Sequence, residues 1–208
     1  YWFSDVHARG HYPSYLTAYF KRRGFKLDIT EADKKDLAAG TVDYIGFSYY
    51  MSFAVKDTDN GAGFDYDEAR ELIRNPYVDA SEWGWQIDPL GLRYVMNWFN
   101  ERYELPLFIV ENGFGAVDEI VDGKIHDDYR IAYLRAHIEQ MIDAVEIDGD
   151  LLGYTPWGFI DLISAGTGEM KKRYGMIYVD KDNDGKGTLN RSKKDSFDWY
   201  QRVIATNG

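Results

Sequence analysis

Residues 107–113 read LFIVENG, an apolar run followed at once by Glu111, Asn112 and Gly113. A short apolar run bounded by such a turn is typical of a strand buried in a parallel sheet. A helical pattern lies on each side of it, one opening at Asp88-Pro89 and one spanning about residues 127–147. A buried strand between two helices predicts a fold of the α/β class.

Two other segments, residues 42–50 and 151–157, are equally rich in apolar, β-branched and aromatic residues. We expect residues 42–50 to form a strand that is buried on both faces. The order strand, helix, strand, helix, strand predicts a parallel sheet covered by helices. Three such strands leave two open edges and cannot close a barrel, so we expect an incomplete domain.

The remaining elements are predicted from capping residues and periodicity. They are a helix over residues 13–23 ended by Gly24, a helix from Thr30 with Asp33 in its capping box, a long connection over residues 56–82, a short strand at 176–179 and a final helix capped by residues 192–195. In the helix over residues 127–147, the expected buried stripe is Ile131, Leu134, Ile138, Met141, Ile142 and Val145.

Composition narrows the classes of partner. The 208 residues carry 24 Lys+Arg against 35 Asp+Glu, a net charge of −11, which argues against nucleic acid and membrane surfaces as partners. No apolar stretch approaches the roughly 20 residues of a membrane helix, and no signal peptide is recognisable. The chain has no cysteine, which fits a cytoplasmic location. Because the sequence opens without an initiator methionine, we expect it to continue a longer polypeptide.

Two motifs suggest metals, and we predict that neither binds one. Residues 180–185 match the opening of a calcium loop, but its twelfth position, which should be a bidentate glutamate, is Arg191. His7 and His11 have ligand-like spacing, but Gly10 weakens a helix there and no third ligand is near in sequence. Phosphate-binding and dinucleotide-binding glycine motifs are missing from the sequence, so we predict no cofactor.

Candidate functional residues follow the predicted strands. Glu111 comes where a buried strand ends, the position of active sites in barrel enzymes, although a solvated turn glutamate fits the same pattern. Trp157 ends the next strand, where an indole can stack on a sugar ring. Downstream, three consecutive cations, residues 171–173, could bind a phosphate or could pair with Glu169 and Asp180.

Several ordered segments resemble one known family. They are Ile45-Gly46-Phe47-Ser48-Tyr49-Tyr50, Gly84-Trp85-Gln86-Ile87-Asp88-Pro89, Ile109-Val110-Glu111-Asn112-Gly113 and Arg9-Gly10-His11-Tyr12-Pro13. Together they resemble the C-terminal portion of glycoside hydrolase family 1, and more narrowly its 6-phospho-β-glucosidase branch. The resemblance covers essentially all of the chain. It implies a (β/α)8 TIM barrel, of which residues 1–208 would supply about strands six to eight, with no second domain.

The resemblance also implies a retaining mechanism with two carboxylates about 5–5.5 Å apart. Glu111 is the implied nucleophile, and Tyr50 is implied to donate a hydrogen bond to it. Ser48 departs from the family's commoner asparagine, which puts a sugar contact there in doubt. The acid/base glutamate belongs to an Asn-Glu motif on the family's fourth strand. The only Asn-Glu of this sequence is Asn100-Glu101, in a helix, so we expect the acid/base residue to lie outside this chain.

The branch's phosphate-binding residues are matched by Ser164, Lys172 and Tyr174. Family members that act on unphosphorylated sugars have a glutamate at the position of Ser164, and its negative charge would repel a 6-phosphate. Serine removes that charge and adds a hydrogen-bond donor. Ala165 occupies the position of a tryptophan in phospho-β-galactosidases, which favours gluco specificity.

Two tryptophan positions are also carried over from the family. Trp157 matches the sugar platform. Trp85, or Trp83 as the weaker choice, could line the aglycone side, and an ordinary core role for Trp85 fits equally well.

The function implied is hydrolysis of 6-phospho-β-D-glucosides, such as phosphorylated cellobiose or aryl glucosides, by a bacterial cytoplasmic enzyme. This chain alone is expected to be inactive without the N-terminal half of the barrel, and a homo-oligomer is possible. Two alternatives stay open at this point: a fragment of an unphosphorylated β-glucosidase, and a non-catalytic sugar-phosphate-binding protein.

Overall fold

A three-stranded parallel sheet forms the centre of the chain. The computed structural model describes residues 1–55 and 72–208, and the first part of the predicted connection over residues 56–82 lies outside them. The sheet has the order β1–β4–β5, with β1 at Ile45–Ser48, β4 at Leu107–Asn112 and β5 at Leu151–Pro156. The predicted parallel arrangement is confirmed for all three strands.

Six helices are present in the described residues. They are α1 (Trp2–Arg9), α2 (Ser14–Arg23), α3 (Glu31–Ala39), α4 (Pro89–Tyr103), α5 (Asp128–Asp148) and α6 (Asp195–Thr206). Two short antiparallel pairs complete the described secondary structure: β2 (Ala54–Val55) with β3 (Leu72–Ile73), and β6 (Ile177–Val179) with β7 (Arg191–Lys193). The predicted strand at 176–179 therefore belongs to a separate hairpin.

Local sequence signals place several helix ends where they were expected. Thr30 and Asp33 form a reciprocal capping box at the start of α3. Asp88 accepts a hydrogen bond from the backbone N–H of Gly91, and Pro89 takes the first turn of α4. Helix α2 ends at Gly24 with φ of 72°, a left-handed conformation that glycine adopts without steric cost.

The core lies between one face of the sheet and helices α4 and α5. It is a single cluster of buried side chains: Ile45, Tyr49, Leu92, Met96, Leu107, Ile109, Tyr133, Leu134, Ile138, Met141, Ala144, Met176 and Tyr200. Burial of these apolar side chains, at about 25 cal/mol per Å², supplies the main driving force for this packing. The core thereby holds the carboxyl ends of the three parallel strands in fixed register.

The prediction that residues 42–50 are buried on both faces is wrong. Tyr44 and Val42 are 49% and 36% exposed, and Gly46 is exposed as well. Val110 and Leu152, on the two neighbouring strands, are 38% and 56% exposed. The reason is that the six described helices cover one face of the sheet and leave the opposite apolar face open.

Two helix predictions also need correction. In α5, Ile142 and Val145 are each 41% exposed, because the buried face runs instead through Tyr133, His137, Met141 and Ala144. At α6, the residue preceding the helix is Lys194 and makes no side-chain cap, while Ser192 lies in β7.

The first N–H groups of α6 are satisfied from a distant element. Asp127 accepts hydrogen bonds from the backbone N–H and the hydroxyl of Ser196, the former at 2.8 Å. A residue at the start of α5 therefore caps α6.

Candidate active site

Glu111 lies near the carboxyl end of β4, beside the end of β1. The Ser48 hydroxyl donates to Glu111 Oε2 at 3.1 Å, and the Tyr50 hydroxyl donates to the same oxygen at 3.0 Å. Parallel strands bring these residues together because their carboxyl ends meet at one edge of the sheet. Within the described part of the chain, two hydroxyl groups hold Oε2 and no donor reaches Oε1.

The side chain of Asn112, next to Glu111, links β4 to the neighbouring strands β1 and β5. Its Nδ2 donates to the Tyr49 carbonyl at 2.7 Å and to the Tyr133 hydroxyl at 3.0 Å, and its Oδ1 accepts from Tyr154 at 2.7 Å. Tyr133 in turn donates to the Tyr50 carbonyl at 2.8 Å. Asn112 is fully buried, so this satisfied network holds β1, β4 and β5 together at the site.

The hydroxyl of Tyr50 is kept protonated by its surroundings. Burial raises its pKa, and the hydrogen bond to the Glu111 carboxylate raises it further, because both disfavour a phenolate. Tyr50 therefore stays protonated and donates to Glu111 at neutral pH.

Trp157 follows β5 at the same edge of the sheet. Its backbone N–H donates to the Asn112 carbonyl at 2.7 Å, and its ring is half-buried. The indole is thus placed on the strand next to Glu111, with part of its surface accessible.

The three predicted phosphate ligands form one buried cluster, which we call the phosphate cluster: Ser164, Lys172 and Tyr174. They are 3%, 3% and 6% exposed, and Ser164 hydrogen-bonds Tyr174. Gly115 passes so close that a Cβ there would lie 3.0 Å from Lys172 side-chain carbons. Ala165, next to the cluster, is exposed and leaves room beside Ser164.

The three consecutive cations do not act as one positive patch. Lys171 pairs with Glu169 at 2.9 Å, and Arg173 pairs with Asp161 at 3.0 Å. Lys172 forms no salt bridge with any of the described residues. Burial lowers the pKa of Lys172, and the more distant Glu169 acts in the opposite direction. Of the three, Lys172 alone is available to meet an anion.

Trp85 lies between the phosphate cluster and Tyr50, which donates to Glu111. Its ring makes an edge contact with Tyr50, with centroids 5.6 Å apart, and the Lys172 ammonium lies 3.9 Å from its centroid. Trp83 is farther, at 5.3 Å from the same ammonium. Buried Gln86 anchors this segment through its Nε2, which donates to the Ser52 carbonyl at 2.6 Å.

A wide groove borders Trp85 on its other side. It has a volume of about 530 Å³ and includes Trp83, Trp85, Met51, Phe53 and Arg74 in its lining. Both tryptophans considered for the aglycone side therefore line one groove next to Tyr50.

A network of buried ions lies next to the phosphate cluster. Its members are Asp118, Asp127, Arg130, Asp161, Arg173 and Lys194. Lys194 binds both Asp118 and Asp161, the latter at 2.8 Å, and Arg130 donates to the backbone carbonyl of Arg173 at 2.9 Å. Each of these ions has an opposite charge as partner, as buried charges require, although Arg130 Nε has no hydrogen-bond partner among the described residues. The buried ion network fixes the backbone directly next to Lys172 and Tyr174.

Sequence reasoning missed two members of the site. Ser48 stood out only as a departure from the family, yet its hydroxyl contacts Glu111 directly. Asn112 was seen as a turn residue, whereas its side chain is buried and fully bonded. Its position next to a candidate carboxylate at the end of a buried strand was the one signal available.

Parallel strands with a carboxylate at their carboxyl ends, held there by two hydroxyl groups, match the arrangement of the α/β barrel class of proteins. Sequence comparison identifies the family. Glycosyl hydrolase family 1 matches residues 1–208, and the chain belongs to that family.

Its relatives include enzymes named for phosphorylated glucosides. The chain is 56% identical to aryl-phospho-β-D-glucosidase BglA of Bacillus subtilis (strain 168), covering 100% of this chain and 44% of that protein. It is 54% identical to the phospho-cellobiase of Klebsiella oxytoca, covering 99% of this chain and 44% of the relative. The chain therefore spans less than half the length of these relatives.

Solved structures show the same fold. The family 1 β-glucosidase of Thermotoga maritima superposes with a TM-score of 0.81 at 31% identity, over 100% of this chain and 44% of that one. The TIM-barrel class expected from the sequence is thereby supported. In residues 1–55 and 72–208, no helix is long and apolar enough to cross a membrane.

Proposed function

We propose that the protein carrying this chain hydrolyses 6-phospho-β-D-glucosides with retention of configuration. The observation that carries the proposal is the buried Lys172 of the phosphate cluster, which has no salt-bridge partner in residues 1–55 and 72–208 and which Trp85 connects to Tyr50 and Glu111. The names of the relatives, an aryl-phospho-β-D-glucosidase and a phospho-cellobiase, support the same substrate class.

In the proposed first step, Glu111 Oε1 attacks the anomeric carbon while the leaving oxygen takes a proton from a general acid. Ser48 and Tyr50 hold Oε2 and orient the carboxylate. In the second step, the same acid, now a base, deprotonates water. That water attacks the anomeric carbon, and Glu111 leaves as a carboxylate. Trp157 would stack on the sugar ring.

We propose that the general acid comes from a part of the protein outside this sequence. Glu101, in the only Asn-Glu pair, is exposed on α4 rather than at the carboxyl ends of the strands, which argues against it. General acid catalysis is typically worth about 10²–10⁴-fold, so these residues alone should be nearly inactive.

Specificity for phosphate is proposed to arise from charge balance. Ser164 offers a hydroxyl without charge, Tyr174 a second hydroxyl, and Lys172 the compensating cation. Ala165 leaves the space that a larger side chain would fill, which is the gluco-type choice.

We further propose that residues 1–208 belong to one barrel domain and supply about strands six to eight. The open face of the sheet, with Tyr44, Val110 and Leu152 exposed, supports this, because further strands of a barrel would cover it. The cytoplasmic location, the bacterial source and the possible homo-oligomer stay predictions.

The test compares two substrates in the protein as its source produces it: 4-nitrophenyl β-D-glucoside 6-phosphate, the phosphorylated substrate, and 4-nitrophenyl β-D-glucoside, the plain substrate. We expect kcat/KM to favour the phosphorylated substrate strongly. Glu111→Gln should lower the rate on both by at least about 10³-fold, since it removes the nucleophile. Equal or better hydrolysis of the plain substrate would overturn the phosphate specificity.

A plain β-glucosidase is the second candidate function. The likeness to the Thermotoga maritima β-glucosidase, at 31% identity, favours it. Under that function, Lys172→Ala would leave the ratio of the two kcat/KM values unchanged. The non-catalytic alternative predicts binding of glucose 6-phosphate, measured by calorimetry, with no hydrolysis of either substrate.

A further inference from the structure

The calcium-like segment at residues 180–185 forms the turn between β6 and β7, next to the phosphate cluster. We propose that Asn183, at this turn, is a positioning residue that holds the backbone carrying Lys172. This inference rests on the proposed function, since it concerns binding of the substrate's phosphate. Asn183 itself would not touch the substrate.

The carboxamide of Asn183 binds the backbone immediately before Lys172. Its Oδ1 accepts hydrogen bonds from the N–H groups of Met170 at 2.8 Å and Lys171 at 2.9 Å. One side-chain oxygen therefore fixes two consecutive peptide units. Because the next residue in the chain is Lys172, this contact fixes the position of the backbone from which the Lys172 side chain extends.

Hydrogen bonds and a glycine fix the shape of the turn that contains Asn183. Asp182 accepts from the backbone N–H of Lys186 at 2.8 Å through its side chain, and the Asp182 N–H donates to the Lys186 carbonyl, also at 2.8 Å. Gly185 has φ of 81°, a conformation that permits the tight reversal. These bonds between Asp182 and Lys186 close the turn, and Asn183 is one of the residues between them.

A second contact ties the base of the hairpin to the residue after Lys172. Arg173 donates from Nη1 to the Val179 carbonyl at 2.9 Å and from Nη2 to the Lys181 carbonyl at 2.8 Å. The chain is thus held on both sides of Lys172, by Asn183 before it and by the hairpin base after it.

The loop between the phosphate ligands depends on the same anchor. The N–H of Ser164 donates to the Glu169 carbonyl at 3.0 Å, which closes the loop that begins at one phosphate ligand and returns towards the other. Met170 and Lys171 leave this loop, and they are the residues that Asn183 fixes. Asn183 therefore influences the spacing between Ser164 and Lys172.

The test uses Asn183→Ala in the protein as its source produces it. Loss of two neutral hydrogen bonds should raise KM for the phosphorylated substrate about 3- to 10-fold with kcat nearly unchanged. Kinetics on the plain substrate should not change, because nothing in the sugar or nucleophile site is altered. A residue that only stabilised the fold would affect both substrates alike.

Asp184→Ala is the matched control. Asp184 lies in the same exposed turn and pairs only with Lys186 at 3.5 Å among the described contacts. Its truncation should leave KM for the phosphorylated substrate unchanged. A rise equal to that of Asn183→Ala would overturn the proposal, because the effect would then belong to the turn as a whole.

A double variant tests the acceptor oxygen at position 183 while the net charge of the turn stays the same. Asn183→Asp with Asp184→Asn keeps the net charge and restores an acceptor at position 183, so KM should return close to the parent value. It remains informative if Asn183→Ala fails to fold, because a KM about 3- to 10-fold above that of the parent, in spite of the acceptor at position 183, would refute the positioning role. If the parent protein shows no preference for the phosphorylated substrate, the proposed function fails. If it shows the preference and Asn183→Ala has no effect, only this inference fails.

Discussion

The ammonium nitrogen of Lys172 lies 3.9 Å from the centroid of the Trp85 ring, so a buried cation is held against an aromatic face, with no carboxylate paired to it among the residues that the structure describes. A cation–π contact of this kind contributes about 0.5–2 kcal/mol, less than a charge-assisted bond to a dianion. Lys172 can therefore stay ordered without substrate and still transfer its interaction to an arriving phosphate.

Lys172→Met should test this arrangement most directly. Methionine keeps an apolar stem of similar length against Trp85 and removes the charge. We expect kcat/KM for the phosphorylated substrate to fall about 10- to 100-fold, the value of one charged hydrogen bond, and the plain substrate to change much less. Steady-state kinetics on both substrates measures the ratio.

Lys171→Met is the matched control for that change. Lys171 is the neighbouring residue, is 54% exposed and pairs with Glu169. Its substitution should leave the substrate ratio almost intact. Equal losses in the two variants would contradict a specific role for Lys172.

Lys172 should also give binding of the phosphorylated substrate a characteristic pH dependence. Burial lowers the pKa of this lysine, so the protein loses the cation at a lower pH than a free lysine would. At the acidic end, the phosphate itself becomes a monoanion near pH 6. KM for the phosphorylated substrate should therefore be lowest between these limits and should rise on both sides.

Lys172→Arg separates the two sides of that profile. Arginine stays protonated, so the alkaline rise of KM should disappear while the acidic rise, which belongs to the substrate, remains. The KM of the plain substrate should show neither limb. An alkaline rise that persists in Lys172→Arg would assign it to another group.

The phosphate cluster shows how far sequence reasoning reached. Ser164, Lys172 and Tyr174 were each found by motif, and the structure brings them together. The fate of Lys171 and Arg173 could not be found that way, because three adjacent cations look alike in a sequence. Which of the three lacks a salt bridge among the described residues depends on Glu169, on Asp161 and on the turns that place these carboxylates.

Tyr50→Phe and Ser48→Ala should weaken the nucleophile side without affecting phosphate preference. Each removes one donor to Glu111 Oε2, bonds of 3.0 and 3.1 Å. We expect each to lower kcat/KM about 10- to 100-fold on both substrates alike, since a hydrogen bond to a charged group contributes about 1.5–3 kcal/mol. Kinetics of the single and double variants would show whether the donors act as a unit. A change in the substrate ratio would contradict this separation of the two sites.

The fold was predictable where local pattern determines it. Strand β4 and the N-terminal cap of α4 lie where the sequence indicated, because apolar runs and caps are local. The capping of α6 by Asp127 was not predictable, since Asp127 and Ser196 are 69 positions apart. The same holds for Lys194, which resembles a surface lysine in sequence and is fully buried in the structure.

Lys194→Met should destabilise the protein strongly. Its ammonium is fully buried and binds Asp118 and Asp161, so its removal takes away the cation that these two carboxylates share and leaves them only Arg130 and Arg173 as salt-bridge partners among the described residues. Breaking a buried ion pair costs about 3–5 kcal/mol, measured here as the change in the free energy of unfolding in urea. Lys193→Met is the matched control, because Lys193 is 60% exposed and its partner Asp198 lies 3.8 Å away. Similar unfolding curves for the two variants would show that the buried ion network contributes little.

His137 should make the protein sensitive to mild acid. Its Nδ1 donates to the Tyr133 carbonyl at 2.7 Å, its Nε2 has no partner among the described residues, and burial lowers its pKa to about 4. Between pH 4 and pH 6.5, His137 is therefore protonated in the unfolded chain, where histidine has a pKa near 6.5, and neutral in the folded protein. Stability contributed by the neutral ring is therefore complete above pH 6.5 and decreases as the pH falls towards 4.

The expected loss between pH 7 and pH 5 is about 2 kcal/mol, from linkage of a single proton. His137→Gln keeps a polar side chain in α5 and cannot be protonated, so its free energy of unfolding should fall by about 2 kcal/mol less than the parent's over the same interval. Urea unfolding at the two pH values, with each variant compared to itself, removes any difference in absolute stability. An equal loss in parent and variant would mean that His137 is protonated in the folded state or is not the group responsible.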